Sequence, residues 1–467
     1  MQIKKRIYIT IFVLLLSLIT ILVLKNPTIL GNVTLDNLYK EDYKCKDCNI
    51  ILISIDTLRA DHLGVYGYER DTSPNIDELA EDSFIFKNSY SSASWTRSAI
   101  ASILTSKLPI EHGINSERKK ERLEDDFFTI QEFFNERNYS TAAIYTNPHL
   151  NFGLVQNFSY TNYKGNRWAD KTYDKAINWL ESNSDNKFFL LVHNNDPHDS
   201  YDFHKGFNFS QKNSKYRRLG PFFPTRIDGN KIGCENQENI TQLNEEQLSE
   251  MMANYDEEIA FTDHHFGRLI NYLKKNKLDK KTVIIFTADH GEEFLEHGRY
   301  WHGCSLYDEL IRVPLMINLP EISGNKFKQK VSTIDIFPTL VEIFDRDNLD
   351  KYSFSGQSLL PLIENRNWEE KPIFSSTAFR GPLKYSLIKE NYKIIKYAEG
   401  PIIGIYDLDK DPEESKNLKN DPLFNYLQDS LQELIELKSN DLTKKDKEKS
   451  EIDEETLEQL KSLGYMN

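Results

Sequence analysis

Positive charge and cysteine are both scarce in this chain, and a second long apolar run is absent. Lysine and arginine number 58 against 72 aspartates and glutamates, a formal net charge of −14 over 467 residues. That balance gives no electrostatic support to a nucleic-acid or anionic-surface partner. An anionic substrate would need a local cation, and a metal ion is the obvious source. The four cysteines are Cys45, Cys48, Cys234 and Cys304. A zinc site would need a second ligand pair at suitable spacing beside Cys45-Lys-Asp-Cys48, and none is present. A local disulfide or no function are the two readings left for that pair. No internal repeat and no low-complexity tract occurs. The hydrophobic content of 39% with 12% aromatics is that of a globular protein.

The one long apolar run lies at the start. Ile7 to Leu24 carries no charge and is preceded by Lys4, Lys5 and Arg6. Eighteen helical residues at ~1.5 Å each span about 27 Å, just enough to cross a bilayer core. The flanking charges place the N-terminus in the cytoplasm and the rest outside. With no small-x-small site after the run, an uncleaved single-pass anchor over 1–25 is favoured over a cleaved signal peptide. Residues 26–48 read as a polar stalk.

Beyond it, short buried strands alternate with helices. Asn49–Ile55 holds five apolar residues in seven, four of them isoleucine, a strand covered on both faces. Pro74 opens a short helix through about Asp82. Further strands are expected at 84–87, 140–145, 187–192 and 282–287, and helices at 127–138 and 244–276. In the last of these, Asp256, Glu257, Glu258 and Asp263 read as a solvated face. This alternation predicts an α/β fold, a mostly parallel sheet with helices on both faces, over 49–365. At 366–440 short strands separated by turns predict a small antiparallel sheet followed by a helix near 423–437. The charged tail, 441–467, closes on a capped short helix.

Three of the buried strands end in potential metal ligands: Asp56, the cluster from His193 to His198, and Asp289-His290. In open α/β sheets ligands bind beyond the carboxyl ends of the strands, so these residues suit a hard-cation site. Asp56 alone would read as a turn or capping aspartate; it is the combination that points to chemistry.

The run Ile55-Asp-Thr-Leu-Arg-Ala-Asp-His-Leu-Gly-x-Tyr-Gly-Tyr68 resembles the opening of the sulfatase family, within the alkaline phosphatase superfamily. Further resemblances follow in the family's order. They are Ser73-Pro-Asn-Ile-Asp-Glu-Leu-Ala80, Ala101-Ser-Ile-Leu-Thr-Ser-Lys-Leu-Pro-x-x-His-Gly113, Asp196-Pro-His198 and Thr287-Ala-Asp-His-Gly-Glu292. Leu306-Tyr-Asp-Glu-Leu-Ile-Arg-Val-Pro-Leu315, Ile334-Asp-Ile-Phe-Pro-Thr-Leu340, Tyr406-Asp-Leu-Asp-Lys-Asp-Pro-Glu-Glu414 and Leu460-Lys-Ser-Leu-Gly-Tyr465 complete the set, so that it covers roughly residues 49 to 465. The resemblance implies an alkaline-phosphatase-like fold and a metal-dependent ester hydrolase.

The chain departs from the family at its nucleophile. The family's Cys-x-Pro-x-Arg, whose cysteine or serine is oxidised to formylglycine, falls on Thr96-Arg97-Ser98-Ala99-Ile100, and threonine cannot undergo that oxidation. Thr96 instead resembles the threonine of the superfamily's phosphoester branch, which includes nucleotide pyrophosphatase/phosphodiesterases, phosphoethanolamine transferases and lipoteichoic acid synthase. Asp56-Thr57 and Asp289-His290 stand where sulfatases usually have Asp-Asp and Asp-Asn. The family's Lys-x-His reads Asn147-Pro148-His149, and its later lysine falls on Gly303. The resemblance therefore implies that Asp56, Asp289, His290 and the Thr96 hydroxyl hold one divalent ion (Ca, Mn or Zn). It makes Thr96 the nucleophile, puts His198 and His302 at the nonbridging or leaving oxygens, and makes His149 a substrate contact. Arg97 and His297 are near enough in sequence to face the pocket but receive no role. The implied substrate is a small-molecule, glycan or lipid anionic ester, phosphate being favoured over sulfate by the nucleophile. A phosphotransferase acting on a lipid or surface glycan, and a non-catalytic binding protein of the same fold, are the alternatives.

Overall fold

The computed structural model describes residues 43–439 except 46, 117–120, 164–167, 208, 211–225, 228–229, 232–242 and 380. The expected anchor, most of the stalk, and the charged tail with its closing helix lie outside the described residues. Among those described, no helix is long and apolar enough to cross a membrane.

The isoleucine-rich run forms β1, Asn49–Ile55, with every residue buried. It lies inside an eight-stranded sheet with β2 (Phe84–Tyr90), β3 (Ser140–Tyr145), β4 (Tyr160–Tyr163), β5 (Phe188–Asn194), β6 (Thr282–Ala288), β7 (Leu315–Asn318) and β8 (Lys326–Ser332). The strand order is β8-β2-β7-β6-β1-β5-β3-β4. β7 runs antiparallel to both its neighbours, while the other pairings are parallel. A central parallel strand must be covered on both faces, and it is. Ile51, Ile53 and Ile55 share a core with Tyr173 and Leu180 of α4 (Ala169–Asn183) and with Phe266 and Leu269 of α5 (Glu245–Lys275). On the other side, Phe134 of α3 (Ile130–Asn135) packs 5.2 Å from Phe189 of β5 and from Phe344 of α6 (Ile336–Asp345). The expected α/β architecture with helices on both faces is therefore present.

The small sheet is present too. β9 (Ile373–Thr377), β10 (Lys384–Lys389), β11 (Tyr392–Tyr397) and β12 (Ile402–Asp407) form an antiparallel meander, followed by α7 at Asn425–Ser439. Cys45 and Cys48 form the local disulfide, and Cys304 is disulfide-bonded as well.

Two expectations need correction. The helix expected over 127–138 is shorter, because Thr129 and Glu132 form a capping box that starts it at Ile130. More consequential, Asp256, Glu257, Glu258 and Asp263 are buried instead of forming a solvated face. Asp256 accepts from Tyr68 and Arg70 and pairs with His62 at 2.7 Å. Glu257 accepts the His204 backbone N–H at 2.9 Å, and Glu258 meets His204 Nε2 at 2.8 Å. Asp263 accepts the N–H groups of Asn75 and Ile76 at the start of α1 (Pro74–Glu81), at 3.1 and 2.8 Å. Buried carboxylates must find donors, and here loops supply them.

Candidate active site

Strand register sets the site. β1 pairs Ile55 with Asn194 of β5 and with Ala288 of β6, so Asp56 and Asp289 leave the sheet at one level. The chain turns sharply after Asp56. Thr57 takes φ 54°, unusual for a β-branched residue, and its N–H points to Asp289 Oδ1 at 3.3 Å. The Thr57 carbonyl accepts the Tyr255 hydroxyl at 2.6 Å, which holds the turn to α5.

Thr96 is the first residue of α2 (Thr96–Thr105), after an extended Trp95. Its hydroxyl therefore sits at the positive end of a helix, where developing negative charge is stabilised. Thr96 Oγ1 lies 3.5 Å from Asp56 Oδ1 and 3.3 Å from His290 Nε2. His290 Nε2 is also 3.4 Å from Asp56 Oδ1 and 3.7 Å from Asp289 Oδ2. His290 Nδ1 donates to the Gly291 carbonyl at 3.0 Å, which fixes the tautomer and leaves the Nε2 lone pair facing these oxygens. All four residues assigned to the metal thus converge, and all are buried.

Two further residues join them. His193, on β5, brings Nε2 to 3.4 Å from Asp289 Oδ2, and Asp56, His193 and Asp289 present ligand atoms within 4.8 Å of one another. Asn147 donates from Nδ2 to Asp56 Oδ2 at 2.6 Å and to Thr96 Oγ1 at 3.3 Å. His193 carries a sequence signal, since it stands at the end of a buried strand. Asn147 stands just after β3 at the lysine position of the family's Lys-x-His, and the turn of the chain there brings its amide, in place of that lysine, to Asp56.

The electrostatics suit a cation. Burial, together with nearby Asp289, pushes Asp56 well above the ordinary carboxylate range. Burial pushes Asp289 in the same direction, but His290 and His193 outweigh it and its pKa falls. Burial lowers His290, favouring the neutral imidazole. Two buried carboxylates and a neutral imidazole lone pair around one hydroxyl form a donor set that fits a divalent ion.

The outer residues also gather here. The His302 ring is 4.5 Å from that of His290 and 4.9 Å from that of His198. His302 Nδ1 contacts Glu292 Oε1 at 3.0 Å, and His198 Nδ1 donates to the Asp199 carbonyl at 2.7 Å. His149 Nδ1 accepts from Arg97 at 2.9 Å, and its ring meets Trp95 edge-on at 5.7 Å. Arg97 is itself buried over the Phe152 ring, 3.5 Å from its centroid. Phe379, which carries no sequence signal, stacks 4.9 Å from Trp95 and 6.2 Å from His302. His297 belongs elsewhere: it pairs with Glu309 at 2.6 Å and stacks on Tyr307.

Comparison with known proteins places this arrangement. The family model described as Sulfatase matches residues 48–345, and that of the N-sulphoglucosamine sulphohydrolase C-terminal region matches 295–441. An arylsulfatase K of Canis lupus familiaris is 29% identical over 53% of this chain and 51% of its own length. The chain thus spans about half the length of the arylsulfatase K relatives it matches. An arylsulfatase of Clostridium perfringens is 24% identical over 83% of this chain and 93% of its own. Among solved structures, the phosphonate monoester hydrolase of Agrobacterium radiobacter shares the fold with TM-score 0.67 at 20% identity, covering 84% of this chain and 96% of that one. A 2-O GAG sulfatase does so with TM-score 0.68 at 19% identity, covering 86% and 95%. With its sulfatase region spanning more than half the sequence, the chain belongs to the sulfatase family, in the alkaline phosphatase superfamily.

Proposed function

We propose that the protein is a metal-dependent hydrolase of an anionic ester, with Thr96 as nucleophile and phosphate esters preferred to sulfate esters. The observation that carries this reading is the convergence of Asp56, Asp289 and His290 on the Thr96 hydroxyl at 3.3–3.5 Å for the two nearest groups. Relatives are named arylsulfatase and Δ4,5-hexuronate-2-O-sulfatase, and one neighbour of like fold is a phosphonate monoester hydrolase. Those names support ester hydrolysis in general; the preference for phosphate rests on threonine, which cannot become formylglycine.

Asp56, Asp289, His290 and His193 would hold the ion, and bound there a divalent cation supplies charge neutralisation and lowers the nucleophile's pKa. The chain's own groups do the rest. With its proton given up to solvent, Thr96 Oγ1 attacks the central atom in line, the amide of Asn147 and the start of α2 stabilising charge at that oxygen. The bond to the leaving oxygen breaks, and His198 and His302 are the donors placed to protonate it. Water then attacks the threonine ester and releases Thr96. His302 is oriented for its part by Glu292.

The disulfides at Cys45–Cys48 and Cys304 support an oxidising, extracytoplasmic location, in keeping with an N-terminal membrane anchor. The deciding experiment pairs phosphodiester, phosphomonoester and sulfate ester assays on chelator-stripped enzyme, restored with Mn²⁺, Zn²⁺ or Ca²⁺. Mass spectrometry of the 94–106 peptide runs alongside. Phosphoester turnover that is lost by at least about 1,000-fold in Thr96→Ala and partly kept in Thr96→Ser is expected. Turnover confined to sulfate esters, or an oxidised residue in the peptide, overturns the reading.

A further inference from the structure

The segment that carries Asp289 and His290 continues into a hairpin in which Glu293 pairs with Trp301. Successive side chains of an extended backbone point to opposite faces. Glu292 accordingly turns to His302 in the active site, and Glu293 turns away from it. Glu293 is fully buried, yet among the described residues its Oε2 has no hydrogen-bond partner and its Oε1 meets only the Ser305 hydroxyl at 3.4 Å. It does not stand alone. Carboxylate oxygens of Glu293 and Glu309 and a ring nitrogen of His297 lie within 4.8 Å of one another.

We propose that Glu293, His297 and Glu309 form a second divalent-cation site, separate from the one at Thr96 and suited to Zn²⁺ or Mn²⁺. Four features carry it. Two carboxylates and an imidazole are the donor set those ions take, with the remaining positions left to water. Ligands held ~2.0–2.2 Å from one ion sit about 3–4 Å apart, so closure from the present spacing needs under about 1 Å of side-chain movement. His297 is arranged as metal-bound histidines are: one ring nitrogen faces the Glu309 carboxylate at 2.6 Å, and Nε2 is 3.3 Å from the Glu414 carbonyl, to which it can donate. Finally, an entry path exists. His297 and Glu309 line a cavity of about 700 Å³ whose walls carry six carboxylates against the guanidiniums of Arg59 and Arg312. A buried carboxylate with an orphan oxygen is costly unless a cation or proton meets it.

A cation here would tie the hairpin at 293–301 to the turn that carries Glu309, on either side of the stretch from His302 to Tyr307. The site is independent of the chemistry proposed for Thr96, and metal content can separate the two. Full-length protein stripped with chelator and dialysed against Mn²⁺ or Zn²⁺ is expected to hold two ions per chain by elemental analysis. Glu293→Gln, isosteric and outside the active site, is expected to hold one and to keep its basal turnover. Asp56→Asn/Asp289→Asn is also expected to hold one, which disappears when Glu293→Gln is added. If Glu293→Gln leaves the wild-type stoichiometry unchanged, the second site is overturned, and this comparison decides even where the double variant does not fold. Loss of every ion from a folded Asp56→Asn/Asp289→Asn protein overturns it equally and leaves the Thr96 site standing. Retention of the Glu293-dependent ion alone in wild type would do the reverse.

Discussion

Asn147 helps to hold Thr96, the proposed nucleophile, in place. Its amide bridges Asp56 and Thr96, donating to both. Asn147→Ala should lower kcat by about 10–100-fold with little change in melting temperature, since a lost donor at a reacting oxygen costs that much or more. Asn147→Asp, which adds a carboxylate beside Asp56, should be worse than alanine; steady-state kinetics with thermal melts check both. His112 makes a different kind of prediction. Its Nδ1 accepts the Ile114 N–H at 3.2 Å, its Nε2 meets the Ser102 hydroxyl at 2.9 Å, and burial lowers its pKa to about 3. The folded state therefore holds it neutral while the unfolded chain protonates it near pH 6.5. Its contribution is complete above that pH and is lost as pH falls toward 3, at about 1.4 kcal/mol per unit. Asp335 opposes this trend, because burial raises it to about 7 and the folded state gains from its protonation. The two separate in a difference: the stability gap between wild type and His112→Gln should shrink by about 2 kcal/mol between pH 6.5 and 5 by urea unfolding, with the Asp335 contribution cancelling.

Among the elements, α5 carries the largest surprise. A helix of 31 residues with Asp256, Glu257, Glu258 and Asp263 along it reads as an exposed acidic surface, and periodicity gives no reason to think otherwise. What reverses that reading is tertiary. Loops after β1 and β5 fold onto the helix and bring His62, Tyr68, Arg70 and His204 to those carboxylates. The strand ends were legible for the opposite reason. Asp56 and Asp289 follow runs so apolar that only a buried strand accommodates them, and a shared register then makes their proximity unavoidable. Phe379 was not legible, since it reaches the site from a connection whose path no local pattern fixes, and Asn147 was legible only as the residue at the family's lysine position. Asp256 offers the test at this scale. Removing one member of a buried hydrogen-bonded charge cluster costs about 3–5 kcal/mol. Asp256→Asn should lose a substantial part of that in chemical denaturation. It should also weaken activity, because the loop it anchors, from His62 to Arg70, begins at the Asp56 turn.

Across the whole molecule, the small sheet does more than extend the fold. Ser375 donates to the Ser91 carbonyl at 2.7 Å, and the Ser376 N–H to that of Ser92 at 2.9 Å, just ahead of Thr96. Thr377 and Lys384 donate to the carbonyls of Gly303 and Cys304, each at 2.8 Å, beside His302. Both halves of the candidate active site are therefore buttressed from one C-terminal sheet, and Phe379 extends from it between Trp95 and His302. Gly303 stands where the resemblance to sulfatases would put a lysine. It takes φ 81°, and a Cβ there would lie 2.4 Å from the Phe379 ring. Phe379 and a side chain at 303 thus exclude each other. Phe379→Ala should destabilise the protein by about 3–5 kcal/mol, as expected for a buried aromatic. It should also lower kcat through the loosened His302. Gly303→Lys alone should be more damaging, combining the steric clash with a positive φ that a lysine tolerates poorly. The combination decides the argument. If the two share one volume, Phe379→Ala/Gly303→Lys should be clearly more stable than the sum of the single losses predicts, a coupling of about 1 kcal/mol or more in a double-mutant cycle. Strict additivity would mean that Phe379 does not occupy the space beside Gly303.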